Sequence, residues 1–140
     1  MVERLLGHWK SERSENFDEY MKANDVNFVL RKVGNTITSY EEISKDGDTW
    51  TVHITSTFRS SKLVFKLGEP FTELTLDGRN VKSTFSIEGE KLACRQEPID
   101  PSNTPSYITR EVLEDGRMLI TCIATEKNVT AKKYYVSYKP

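Results

Sequence analysis

The chain has 140 residues, with 20 basic and 21 acidic side chains and a formal net charge of -1. One domain over residues 1–140 fits that length, which is enough to build a core or to enclose a cavity. The even charge balance gives no electrostatic basis for nucleic acid as the main partner. Two cysteines, Cys94 and Cys122, are too few for the disulfide framework of a small secreted domain, which favours a reducing compartment. Met1 to Gly7 holds no apolar stretch of signal-peptide length, and no segment is apolar enough to span a bilayer. These features lead us to expect a soluble, monomeric protein of the cytoplasm, in which the sequon Asn128-Val129-Thr130 stays unmodified.

In chain order, the run from Leu5 to Lys10 reads as a first strand. A short helix is expected from Asn16, which has capping-box spacing to Glu19 and is followed by an apolar stripe of Phe17, Tyr20 and Met21. Asp25 is placed to cap a second helix with the stripe Val26, Val29, Leu30 and Val33, and Gly34-Asn35 to stop it. Helices of about two turns are marginal alone and must lie on something larger.

Beyond residue 36 the period becomes two. Trp50, Val52 and Ile54 form one face; so do Leu63, Phe65 and Leu67; so do Val81, Ser83, Phe85 and Ile87; and, less cleanly, Met118, Ile120 and Cys122. Asp46-Gly47, Asp77-Gly78, Gly89 and Asp115-Gly116 punctuate these runs as hairpin turns. The pattern predicts roughly nine or ten strands, closed into a barrel that removes its edges or packed as a two-sheet sandwich.

Several polar residues fall where alternation predicts burial. Arg110 shares a face with Ile108 and Val112, opposite Thr109 and Glu111. A buried arginine needs a partner, either a protein carboxylate or a ligand carboxylate; otherwise the strand is exposed on both faces and Arg110 is solvated. Gln96 shares a face with Leu92 and Cys94, and Glu73 with Phe71 and Thr75. On the last strand Lys132, Tyr134 and Val136 share one face, and Lys133, Tyr135 and Ser137 the other. Both faces carry a lysine and a tyrosine, so periodicity alone does not say which points inward. Together these positions favour a wet cavity over a dry core. His8 and His53 have no metal-ligand spacing to other candidates, and no nucleophile or phosphate-loop motif occurs. Cys94 and Cys122 read as small buried hydrophobes.

Taken in order, Leu6-Gly7-His8-Trp9-Lys10, Ser14-Glu15-Asn16-Phe17-Asp18-Glu19-Tyr20-Met21-Lys22, Ser56-Thr57-Phe58-Arg59, Phe65-Lys66-Leu67-Gly68-Glu69, Asp77-Gly78-Arg79-Asn80-Val81-Lys82-Ser83 and Thr109-Arg110-Glu111-Val112 resemble the intracellular fatty-acid-binding protein family of the calycin superfamily over the full chain. Ser11 departs from the N-terminal signature, which has an apolar residue there.

The resemblance implies an all-β fold, a ten-stranded antiparallel up-and-down β-barrel of lipocalin-like type capped by a helix-turn-helix lid. It implies a carrier of long-chain fatty acid with no catalytic activity, no metal and no cofactor. A carrier of another apolar carboxylate such as retinoic acid or a bile acid, or a lipid-dependent interaction module, is the alternative. The implied portal includes Val26, Val29, Phe58 and Leu76, and Phe17, Tyr20 and Met21 would contact the acyl chain; Ile54, Gln96, Ile120 and Cys122 would complete the wall. The family's carboxylate site falls on Arg110 and on an Arg-x-Tyr pair in the last strand, matched here as Lys132 and Tyr134. Lysine in place of arginine exchanges a planar fork for a point charge on a flexible stem. Lys22, Arg31 and Lys32 in the helical region are either a solvated face or a basic surface for transient contact with anionic membranes.

Overall fold

A computed structural model describes residues 2–140. A 3-10 turn, Val2–Leu5, leads into β1 (Gly7–Glu15), followed by α1 (Phe17–Ala23) and α2 (Phe28–Thr36). The strands β2 (Ser39–Asp46), β3 (Thr49–Ser56), β4 (Ser61–Lys66), β5 (Phe71–Leu74), β6 (Asn80–Glu88), β7 (Lys91–Pro98), β8 (Ser106–Val112), β9 (Met118–Ala124) and β10 (Val129–Ser137) complete the chain. They form one ten-stranded antiparallel sheet in the order β4-β3-β2-β1-β10-β9-β8-β7-β6-β5. Pairing of β1 with β10 brings the sheet round into a barrel that lacks a ladder only between β4 and β5, and the expected fold is the observed one.

The two ends of the sheet order, β4 and β5, meet without a ladder between them. The seam is instead spanned by Gly68, at φ 80°, whose N–H donates to the Phe85 carbonyl at 2.8 Å. Phe65 stacks on Phe85 with ring centroids 3.8 Å apart, and Phe71 extends the stack. Aromatic area thus fills part of the place where a strand pair is missing.

Inward residues of the central strands close one end. Leu5, Trp9, Ile43, Trp50, Val52, Leu92 and Met118 are all buried there. The Trp9 indole N–H donates to the Leu5 carbonyl at 2.8 Å, so the turn before β1 acts as a plug.

The helices cover this barrel, but their ends differ from the sequence reading. Asn16 adopts left-handed backbone, φ 61°, and its amide donates to the Thr130 carbonyl in place of capping α1, so no capping box with Glu19 forms. The cap of α2 is Asn27, whose side chain accepts from the Leu30 N–H at 2.9 Å; Asp25 lies in the turn. Gly34 and Asn35 lie inside α2, not beyond it. A Cβ on Gly34 would stand 2.8 Å from the Met21 sulfur, so its glycine lets α2 pack closely on α1. The first strand is also longer than expected, running to Glu15 with a bulge between Ser11 and Arg13.

Candidate functional site

Under the helices lies a cavity of about 400 Å³. Its wall includes Phe17, Tyr20 and Met21 from α1, Leu30 and Val33 from α2, and Ile54, Phe85, Ile108, Ile120 and Cys122 from the strands. Phe58 and Leu76 stand in the β3–β4 and β5–β6 turns at its rim, joined where the Arg59 guanidinium donates to the Leu76 carbonyl at 2.9 Å. Two expected portal residues are placed elsewhere. Val26 is buried between the helices and does not line the cavity, and Val29 is 70% exposed on the outer face of the lid, beside Phe28 at 70%. The inner stripe of α2 therefore runs through Leu30, Val33 and Gly34.

Polar groups are set into this wall in two places. One lies along the β6–β7–β8 row, where Ser83, Gln96 and Ser106 pair in register and are buried. Ser83 donates to the Glu73 carboxylate, and the Tyr20 hydroxyl donates to Ser106 at 2.8 Å. Gln96 lines the cavity, and its Oε1 has no hydrogen-bond partner among the described residues. Burial pushes the Glu73 carboxyl upward, against the Ser83 hydrogen bond and the Arg110 and Arg79 charges.

The second place is charged. Arg110 is 6% exposed and its guanidinium grips the 3% exposed carboxylate of Glu41, Nε to Oε1 at 3.0 Å and Nη2 to Oε2 at 3.3 Å. Glu41 is on β2 and Arg110 on β8, so the pair spans the barrel interior. Burial works against the Arg110 charge, but the Glu41 carboxylate outweighs it and holds the guanidinium protonated. The partner of Arg110 is thus a protein carboxylate. Glu41 was not singled out in the sequence, although it shares parity with Ile43 on β2.

The last strand presents its other face. Lys132 is exposed, and the Tyr134 ring lies outside, between the guanidiniums of Arg13 at 3.9 Å and Arg117 at 5.0 Å. Lys133 and Tyr135 point inward and line the cavity. Lys132 and Tyr134, expected at the head group, therefore do not face the cavity, and the lysine-x-tyrosine spacing that does face it is Lys133-Tyr134-Tyr135. The cause is register: Ala131 pairs with Cys122, Lys133 with Ile120 and Tyr135 with Met118, so β10 takes its facing from the inward residues of β9.

In the same transverse row Ile120 pairs with Arg110, which puts Lys133 and Arg110 two strands apart, about 10 Å between Cα atoms. The Lys133 ammonium lies 4.6 Å from the Phe17 ring and 5.7 Å from that of Tyr135. Burial works against its charge, yet the Tyr135 hydroxyl and the Glu41 carboxylate act the other way, and its proton affinity is raised. The Tyr135 hydroxyl is 3.0 Å from that of Ser39. Burial also holds both thiols protonated, Cys94 up to about 12, so neither offers a thiolate near neutral pH. No group of metal-ligating side chains occurs among the described residues.

The barrel under a helical lid is shared with known proteins. Residues 6–139 match the description "Lipocalin / cytosolic fatty-acid binding protein family". The chain is 39% identical to fatty acid-binding protein homolog 6 of Caenorhabditis elegans, over 96% of this chain and 98% of that protein. It is 38% identical to human cellular retinoic acid-binding protein 2, over 93% of this chain and 95% of that one. A structure of the Schistosoma mansoni fatty acid binding protein in complex with arachidonic acid superimposes with a TM-score of 0.90 at 38% identity, covering 99% of this chain and 98% of that one. On sequence and fold together, this chain belongs to the lipocalin / cytosolic fatty-acid binding protein family.

Proposed function

We propose that the protein is a cytoplasmic carrier that binds a long-chain fatty acid reversibly, with the acyl chain in the cavity and the carboxylate at the inner cluster of Arg110, Lys133 and Tyr135. The single observation that carries the reading is the Lys133 amine on the cavity wall beside Phe17, Ile120 and Cys122, with aromatic faces in place of an ion pair among the described residues. An apolar chain with one anionic end answers both parts of that environment. The cavity of about 400 Å³ is within the range of small-ligand sites.

Burying a chain of about sixteen carbons gains roughly 12 kcal/mol gross, at about 0.8 kcal/mol per methylene. Lost motion and side-chain ordering offset much of it, leaving micromolar to nanomolar affinity. The chain sets the affinity and the cluster selects the head group. Retinoic acid fits the same chemistry, and the relative at 38% identity named for retinoic acid binding keeps it as the second reading.

Exchange with membranes is assigned to the lid. Lys22 is paired with Asp18 and Glu19, and Arg31 with Asp18, so much of the basic charge foreseen there is internally balanced. The exposed Phe28 and Val29 give α2 an apolar edge beside Lys32 for transient contact with anionic bilayers. Native mass spectrometry of the purified protein tests the carrier reading directly. The expected bound mass is one long-chain fatty acid, displaced by added palmitate; a retinoid that palmitate fails to displace would favour the second reading.

A further inference from the structure

The interior carries its own carboxylate at the place where a ligand carboxylate would be held. Glu41 and Arg110 are both more than nine-tenths buried, and they make two hydrogen bonds to each other. A bidentate carboxylate on Arg110 occupies the fork that a ligand carboxylate would use. Lys133 is the neighbouring cation, and it lies against the rings of Phe17 and Tyr135, with no carboxylate paired to it among the described residues. Glu41 bears electrostatically on both cations. Arg110, Lys133 and Glu41 together carry a net charge of about +1 near neutral pH, which one monoanionic head group cancels.

We infer that Glu41 is the specificity-determining residue of the head-group site: it competes internally for Arg110, makes Lys133 the primary anchor of the ligand, and tunes the cavity to a single negative charge. This rests on the carrier reading above. With Glu41 in place, a ligand carboxylate bonds Lys133 and shares Arg110 only by loosening a formed pair. A dianionic head group leaves one charge uncancelled in a low-dielectric interior and is excluded. An uncharged head group gains nothing from Lys133.

The test compares palmitate, 1-hexadecanol and hexadecyl phosphate on delipidated wild type and on Glu41→Gln, by isothermal titration and by ligand-induced shift of the melting temperature. In the variant, palmitate is expected to tighten by roughly tenfold or more, hexadecyl phosphate to gain still more, and hexadecanol to stay within about twofold. Apo Glu41→Gln should melt lower than wild type, because Arg110 is left unpaired, and palmitate should restore more of its stability than it adds to wild type. Unchanged or weaker palmitate binding in a variant that still binds hexadecanol overturns the inference. If the single variant does not fold, Glu41→Gln with Arg110→Gln removes both charges and keeps Lys133. That double variant should hold palmitate within a few-fold of wild type, and loss of palmitate with retained hexadecanol overturns the inference equally. The carrier reading fails separately, in the wild-type arm, if palmitate does not bind there at all.

Discussion

At the closed end of the barrel Leu5, Ile43, Val52, Leu92 and Met118 are 0–1% exposed, and the one indole N–H of Trp9 is answered by a backbone carbonyl. On the same inward strand faces, Glu41 stands opposite Trp9 in register and reaches across to Arg110. The first region is held by area removed from water, and its contacts are non-directional. The second is held by a geometry in which each charge is tolerable only because the other is present. The plug therefore contributes stability alone. The charged cluster contributes little net stability; its proposed role is to set a chemical preference in an otherwise apolar container.

Substitutions separate these two kinds of burial. Trp50→Ala, in the plug, should cost about 3–5 kcal/mol in chemical denaturation, and no second polar change should restore it. Arg110→Gln should cost about 3 kcal/mol, because it strands the Glu41 carboxylate; adding Glu41→Gln should return most of that loss. A double variant no more stable than Arg110→Gln alone would remove the distinction. For the same reason Arg110→Gln alone is a poor probe of ligand binding, since it perturbs the apo cavity as much as the contact.

Glu73 gives the smallest effect and sharpens the comparison through pH. Burial raises its folded pKa above the unfolded value, so the folded state binds the proton more tightly. The stabilising contribution is complete below the unfolded carboxylate pKa and is lost as pH rises through the raised folded value. Glu73→Gln should remove that part of the pH dependence and stabilise the protein at neutral pH relative to wild type. Thermal melts between about pH 4 and 8 read it out, and parallel wild-type and variant curves would contradict it.

The barrel was legible because its strands alternate cleanly: Trp50, Val52 and Ile54 lie on the inner wall as their period predicts, and so do Val81, Ser83 and Phe85. The same alternation put Arg110 on the face of Ile108 and Val112, and left open whether a carboxylate or solvent met its charge. Its partner was not legible, because β2 reads Tyr40-Glu41-Glu42-Ile43, and two adjacent acids hide which one points in. The facing of β10 was illegible for a different reason. Lys132 and Lys133, and Tyr134 and Tyr135, offer the same chemistry to both faces, and the register across the turn from 125 to 128 fixes the parity. A turn one residue longer or shorter would exchange them. The helix ends were misread because Asn16 and Asp25 both lie in left-handed backbone, where a side chain is not positioned to cap the following turn.

That parity decides which lysine meets the ligand in the proposed head-group site, so the most direct measurement is a paired one. Lys133→Gln and Lys132→Gln are compared for palmitate and 1-hexadecanol affinity by isothermal titration. Lys133→Gln is expected to weaken palmitate by roughly tenfold and to leave hexadecanol nearly unchanged, while Lys132→Gln alters neither. Palmitate binding that survives Lys133→Gln intact, or that falls with Lys132→Gln, would contradict the proposed site.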